Sequence, residues 1–303
     1  MFNKLIASTL PYMPQKLIWI FSRRYIAGET IEDGLRVSRE LNQAGIVVTI
    51  DLLGEFIQNL EEADANKDRY LAIIERFCAE GIRGNFSVKP TMFGLLLDEE
   101  VCYANLREVV KKAAEKNCFI RIDMEDSQCV DREITLFRRL QAEFPHNVGL
   151  VLQAYLRRTF SDVESLMDIH SEETPLNFRL CKGIYIEPAE IAYKGFQEIR
   201  SNYLRLLDLM LKNKMYVGIA THDKYLVDEA CKLLEKHQIP KDKHEFQMLY
   251  GVTPDLRASI VQAGHLMRVY VPFGKDWFGY STRRLKENPE IASHIIKALF
   301  HRG

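Results

Sequence analysis

Eight short apolar or β-branched runs recur along this chain, each separated from the next by a longer stretch. That alternation constrains the fold more than any other feature. The runs cover residues 46–51, 85–89, 119–123, 149–154, 177–183, 215–221, 245–249 and 267–271. Helical periodicity marks 66–79, 101–117, 188–212, 224–237, 253–263 and a last stretch at 281–299. Parallel neighbours need a crossover connection of a dozen residues or more, and these intervals supply one each time. Glycine or asparagine stands just before the next strand at Gly45, Gly81, Asn117, Asn213 and Gly264, where left-handed helix caps are expected. An open doubly wound sheet is the rival arrangement. Eight strands with a helix after each favour closure, so the expected class is α/β: a (β/α)8 TIM-type barrel with extra N-terminal helices and a C-terminal helix at the barrel mouth.

Several function classes are disfavoured. The net charge is −1, which offers no surface for a polyanion such as nucleic acid. There is no G-x-G and no phosphate-binding P-loop, so a nucleotide cofactor would not be held by a Rossmann turn. The eight histidines show no H-x-x-x-H spacing, and no metal site is expected. Six cysteines at 78, 102, 118, 129, 181 and 231 form no C-x-x-C pair, and most read as buried fillers in a reducing cytoplasm. No run of 18 uncharged apolar residues occurs. Pro11, Pro14 and Lys16 interrupt the apolar start of the chain, and no signal-peptide cleavage pattern follows. Residues 16–24 suit a short amphipathic helix with a basic end, read either as a cap on the barrel or as a contact with a membrane surface.

In barrels of this kind the chemistry sits where strands run into loops. The polar groups there are Asp51, Lys89, Asp123, Gln153, Lys182, Thr221, His222, Gln247 and Tyr270. Arg179 and Lys182 lie on an apolar strand, where buried cations need anionic partners. Arg283 and Arg284 open the last helix, and a planar guanidinium fork suits a carboxylate; a solvated basic helix face is the other reading. Lys89 or Lys182 also suits a Schiff-base nucleophile, and the same groups suit a barrel that binds a small molecule without turning it over.

Four stretches together resemble the proline dehydrogenase family: LQAYLR at 152–157, RLCKGIY at 179–185, EFQMLYG at 245–251, and RVYVPFG at 268–274 followed by YSTRRLKEN at 280–288. SVK at 87–89, IDMED at 122–126 and TH at 221–222 add weaker matches in the same order. The resemblance implies one catalytic barrel domain over 1–303, with 1–44 as an N-terminal helical segment. It implies FAD as cofactor, oxidation of L-proline to Δ1-pyrroline-5-carboxylate by hydride transfer from C5 to the flavin N5, and a membrane quinone as electron acceptor. It also implies a cytoplasmic protein with possible peripheral contact at the inner face of the membrane. Carried over by motif, Lys89, Arg283 and Arg284 correspond to contacts with the substrate carboxylate, and Tyr185 and Tyr270 to aromatic groups around the proline ring. Asp123 and Arg179 correspond to catalytic-site residues. Met124, Gln153, Lys182, Gly183, Ile184, Thr221 and His222 correspond to FAD contacts. Cys181 and Ile184 are apolar variations within the third motif.

Overall fold

The computed structural model describes residues 18, 19 and 22–281. Its centre is a closed barrel of eight parallel strands in sequence order, with β8 pairing back onto β1. The strands are β1 (Val47–Leu52), β2 (Gly84–Val88), β3 (Ile120–Ile122), β4 (Val148–Gln153), β5 (Asn177–Cys181), β6 (Tyr216–Ala220), β7 (His244–Leu249) and β8 (Met267–Phe273). All eight expected strands are present, shifted by a residue or two at their ends.

Helix α1 (Ile31–Gln43) precedes the barrel, started by a capping box between Thr30 and Asp33. The crossover helices are α2 (Leu60–Ala79), α3 (Glu99–Glu115), α4 (Val130–Glu143), α5 (Thr159–Ser165), α6 (Phe196–Lys212), α7 (Lys224–Lys236) and α8 (Pro254–Gln262). Asn59, Asp98 and Asp223 cap α2, α3 and α7 through their side-chain oxygens. Three local expectations need correction. The helix expected over 188–212 starts only at Phe196, because Pro188 to Tyr193 turns and pairs at Ala192 with Leu156. Asn213 is a cap with φ −91°, and the left-handed position falls on Lys214 instead. Helices α4 and α5 lie outside the stretches marked by periodicity above, and α5 has seven residues, too few turns to show a period.

Strand alternation explains how the barrel is filled. Val48, Ile50, Phe86, Val88, Ile120, Ile122, Phe178, Leu180, Val217, Ile219, Phe246, Met248, Val269 and Val271 belong to one continuous apolar core with the helices. The alternate positions are Thr49, Asp51, Asn85, Ser87, Arg121, Asp123, Arg179, Glu245, Gln247, Arg268 and Tyr270. These face the barrel axis, since Arg179 on β5 bonds Ser87 on β2, and Tyr270 on β8 bonds Asp123 just beyond β3. Two inward glycines make room for them. A Cβ at Gly149 would lie 2.5 Å from the Arg121 guanidinium, and one at Gly218 would lie 2.3 Å from the Gln247 amide.

Ile18 is buried with Leu53, Trp277 and Tyr280, and Trp19 packs on Trp277 at 4.7 Å between ring centroids. The apolar residues described in 16–24 therefore rest on the chain itself, as the capping reading expects. Among the described residues no helix is long and apolar enough to cross a membrane. The helix expected over 281–299 lies outside the described residues.

Candidate functional site

The polar interior forms two layers. The lower one, toward the N-terminal ends of the strands, is built on a fork between Arg268 and Glu245, with Nε–Oε1 2.7 Å and Nη2–Oε2 2.9 Å. Arg268 also donates to the Val48 carbonyl and Tyr216 donates to Glu245. Arg121 donates to the carbonyl and side chain of Asn177, and Thr49 donates to Asn85. Burial alone would raise the Glu245 carboxyl, but Arg268 outweighs it and holds the group below the usual carboxylate range.

The upper layer lies at the C-terminal ends of the strands. Asp123 is its hub. It accepts from Ser87 Oγ at 2.5 Å, from Arg179 Nη1 at 2.7 Å and from Tyr270 OH at 2.8 Å, and the Lys89 ammonium stands 3.8 Å away. Lys89 is paired at 2.6 Å with Asp51, and its Nζ lies 3.5 Å from Tyr270 OH. The Arg179 guanidinium sits 5.1 Å over the Tyr270 ring and donates through Nε to Gln247 at 2.7 Å. Gln247 in turn donates to Glu245, which links the two layers. Burial pushes the Asp51 carboxyl up to about 6, against the pull of Lys89. Burial would lower the Lys89 ammonium, but Asp51 and Asp123 overcome it and raise it, so Lys89 keeps its proton. Burial and Asp123 hold the Tyr270 phenol well above its ordinary value.

Besides Asp51 Oδ2, two buried polar atoms in this layer have no partner among the described residues: Arg179 Nη2 and Gln153 Oε1. One is a donor and the other an acceptor, and they come from the neighbouring strands β5 and β4. Groups of this size are seldom left unpaired when buried. The pair fits a heterocyclic edge that carries both an acceptor and a donor. Gln153 Nε2 holds the Met124 and Glu125 carbonyls, so the buried Met124 is fixed at the end of β3.

A cationic shelf continues from the end of β5. Lys182 and Arg200 share Asp223, at 2.6 Å and 2.6 Å, and both lie over the half-exposed Phe196 ring. Burial would raise Asp223, but Arg200 and Lys182 hold it down to about 2. Two cations on one carboxylate leave a net positive charge suited to an anion such as a pyrophosphate. Thr221 and His222 form the floor beside it: Thr221 Oγ1 accepts from the Asp223 amide, and His222 Nε2 accepts from the Leu249 amide. Gly183 has φ 105°, and a Cβ there would meet the Tyr155 ring at 2.0 Å, so a side chain is excluded.

The structure thus brings Lys89, Asp123, Arg179 and Tyr270 into one hydrogen-bonded group, and sets Met124 and Gln153 beside one another. Lys182, Thr221 and His222 line the adjoining shelf. Ile184 is exposed and Tyr185 half-buried on the loop after β5. Arg283 and Arg284 lie outside the described residues. In the sequence Asp51 and Gln247 stand among the strand-end groups without a role, Ser87 and Glu245 occur only as members of the SVK and EFQMLYG motifs, and Asp223 is not singled out. The signal for Ser87 and Glu245 was present: both are polar residues two positions from a candidate within an apolar strand.

A sequence model described as "Proline dehydrogenase" matches residues 35–297. The chain is 37% identical to a proline dehydrogenase of Deinococcus radiodurans, over 95% of this chain and 92% of that one. It is 34% identical to proline dehydrogenase 1 of Bacillus subtilis, over 92% of this chain and 90% of the relative. Among solved structures it is similar to proline utilization A (PutA) from Bdellovibrio bacteriovorus inactivated by N-propargylglycine, with a TM-score of 0.83 and 28% identity. That match covers 88% of this chain but 32% of the longer protein, so this chain spans about a third of it.

Proposed function

The chain belongs to the proline dehydrogenase family, and on that premise we propose that it oxidises L-proline to Δ1-pyrroline-5-carboxylate at the barrel mouth. FAD is the bound cofactor in this reading, a membrane quinone reached from the cytoplasm is the onward electron acceptor, and 1–303 act as one catalytic domain. The observation that carries the proposal is the buried group of Lys89, Asp123, Arg179 and Tyr270, with the Arg179 Nη2 donor left open among the described residues.

Bound FAD supplies a two-electron acceptor for the hydride that leaves proline C5. The residues proposed to hold it are Met124, Gln153, Lys182, Gly183, Ile184, Thr221 and His222. The protein's own part is placement and charge. Lys89, kept as an ammonium by Asp51 and Asp123 against the effect of burial, offers a fixed cation for the proline carboxylate. Arg283 and Arg284 complete that clamp. Binding at the remote carboxylate then orients the reacting carbon, which is worth several kcal/mol in a well-oriented site, on the order of 7–11 at best. Tyr270 stands fixed by Asp123, and with Tyr185 it walls the ring. Asp123 also anchors Arg179, whose charge favours an electron-rich acceptor next to it.

A Schiff-base role for Lys89 needs a neutral amine, and the paired carboxylates work against one. A barrel that binds without turnover predicts no spectral change with proline. The test is anaerobic: the purified protein should be yellow, release FAD on denaturation, and lose its flavin absorbance on addition of L-proline. N-propargylglycine should inactivate it, with L-proline protecting. A colourless protein that stays inactive after reconstitution with FAD would refute the proposal.

A further inference from the structure

At the opposite end of the barrel from this site, two thiols meet. Cys78 is in the last turn of α2 and Cys118 lies between α3 and β3, and their sulfurs are 2.9 Å apart. Both are half-buried. The other four cysteines make no sulfur–sulfur contact among the described residues. Cys78 and Cys118 precede β2 and β3, so both belong to the N-terminal face of the barrel, whereas Lys89 and Asp123 stand at the far ends of the same two strands.

Neither sulfur is carried on a free loop. The amides of Glu80 and Gly81 donate to the Cys78 carbonyl, which closes the end of α2. The Cys118 amide donates to the Ala113 carbonyl across the left-handed Asn117, which closes the end of α3. Beside them Lys112 and Lys116 of α3 and its cap grip Glu75 of α2, at 2.5 and 2.8 Å. The two helix ends are therefore held side by side by groups other than the thiols. A disulfide needs about 2.05 Å between sulfurs, so closure asks for an approach of about 1 Å from side chains on fixed backbone.

We infer that Cys78 and Cys118 are a site of reversible disulfide formation, which staples the base of α2 to the base of α3 and stabilises the fold without touching the chemistry at the mouth. The oxidant is a low-molecular-weight disulfide. The two sulfurs are neighbours, so either can react first and the other resolves; the route that starts at Cys78 runs in two exchanges. In the first exchange the Cys78 thiolate attacks one sulfur of the small disulfide. The small S–S bond breaks, a mixed disulfide forms, and one small thiolate leaves. In the second, Cys118 gives up its proton and its sulfur attacks the Cys78 sulfur, forming the protein disulfide and expelling the second small thiolate. Two protein thiols lose two electrons, the small disulfide gains them, and the two protons end on the two small thiols.

The staple closes a segment of about forty residues, long enough for a substantial effect on the unfolded chain. The test incubates the full-length native protein with oxidised glutathione and maps peptides without reduction. The expected product is one cross-link joining the Cys78 and Cys118 peptides, with two of six titratable thiols lost. The oxidised form should shift the unfolding equilibrium in denaturant at least about tenfold toward the native state, revert with dithiothreitol, and reduce its flavin with proline at the unmodified rate. Cys78→Ser and Cys118→Ser should each lack the cross-link and the added stability. Six thiols remaining, a glutathione adduct stable on Cys78 or Cys118, a cross-link at other cysteines, or unchanged stability after oxidation would each overturn the inference.

Discussion

The two polar layers inside the barrel are built from the same residue types and carry different burdens. In the lower layer Arg268 meets Glu245 through a two-bond fork, Tyr216 adds a hydroxyl, and both ends are sealed, with Glu245 at 1% exposure. In the upper layer Arg179 meets Asp123 through one nitrogen, Tyr270 adds a hydroxyl, and Asp123 is 9% exposed. Arg268 grips both oxygens of its acid, which also accepts from Tyr216 and Gln247. Arg179 reaches one oxygen of an acid that also faces Ser87, Tyr270 and Lys89, and its Nη2 has no partner among the described residues. A buried ion pair whose arginine is fully satisfied specifies a scaffold, whereas one that leaves a buried donor open is arranged for something added later. Arg121 qualifies the contrast, since its Nε in the lower layer also has no partner among the described residues, although its other two nitrogens bond Leu150 and Asn177.

The strongest way to break this comparison is to remove each arginine in turn. Arg268→Met strands the Glu245 carboxylate in the interior and should cost about 3–5 kcal/mol of stability, read by denaturant unfolding. Arg179→Met should cost less, because Asp123 keeps Ser87 and Tyr270 with Lys89 nearby. It should instead slow anaerobic flavin reduction by proline by about 10²–10³-fold, the scale of losing one preorganised donor. A stable Arg268→Met protein, or an Arg179→Met protein with wild-type reduction rate, would remove the distinction.

A pH titration sharpens it further, because the acids of the two layers respond in opposite directions. Glu245 sits below the ordinary carboxylate value, so its contribution is present above that value and is lost as the pH falls. Asp51 is raised to about 6, so the native state binds its proton more tightly than the unfolded chain does. Its contribution favours folding below the ordinary value near 4 and is lost as pH rises to 6. Comparing stability curves, wild type should lose ground relative to Asp51→Asn between pH 4 and 6, by at most about 3 kcal/mol and less if Lys89 relaxes. Parallel curves across that window would mean that Asp51 is an ordinary ion-pair acid.

Much of this contrast was legible beforehand, and the illegible part has a physical cause. The eight strands could be read because each is short, apolar and followed by a long connection. Lys89, Asp123, Arg179 and Tyr270 could be read as candidates because polar groups at apolar strand ends stand out, and family resemblance gave them roles. The layering was harder. Glu245, Ser87 and Arg268 show as polar residues in apolar strands, but which layer each joins is set only when closure of the barrel puts β7 against β8 and β2 against β3. Asp223 was hidden for another reason: it caps α7, so its place in sequence suggests only a helix start, while its charge serves Lys182 and Arg200 across a loop. The pairing of Cys78 with Cys118 depends on two helices lying side by side, and spacing along the chain carries no trace of that.

The most direct measurement uses one substitution in both layers. Tyr216→Phe and Tyr270→Phe each delete a single hydroxyl that donates to a buried acid, Glu245 in one case and Asp123 in the other. Each lost bond to a charged group should be worth about 1.5–3 kcal/mol. Tyr270→Phe should express that loss in catalysis, lowering kcat/KM for L-proline by about tenfold or more while its melting temperature stays near wild type. Tyr216→Phe should express it in a lower melting temperature, with kcat/KM unchanged. If Tyr216→Phe lowers turnover as much as Tyr270→Phe does, or if Tyr270→Phe lowers only the melting temperature, the mouth of the barrel is not the site.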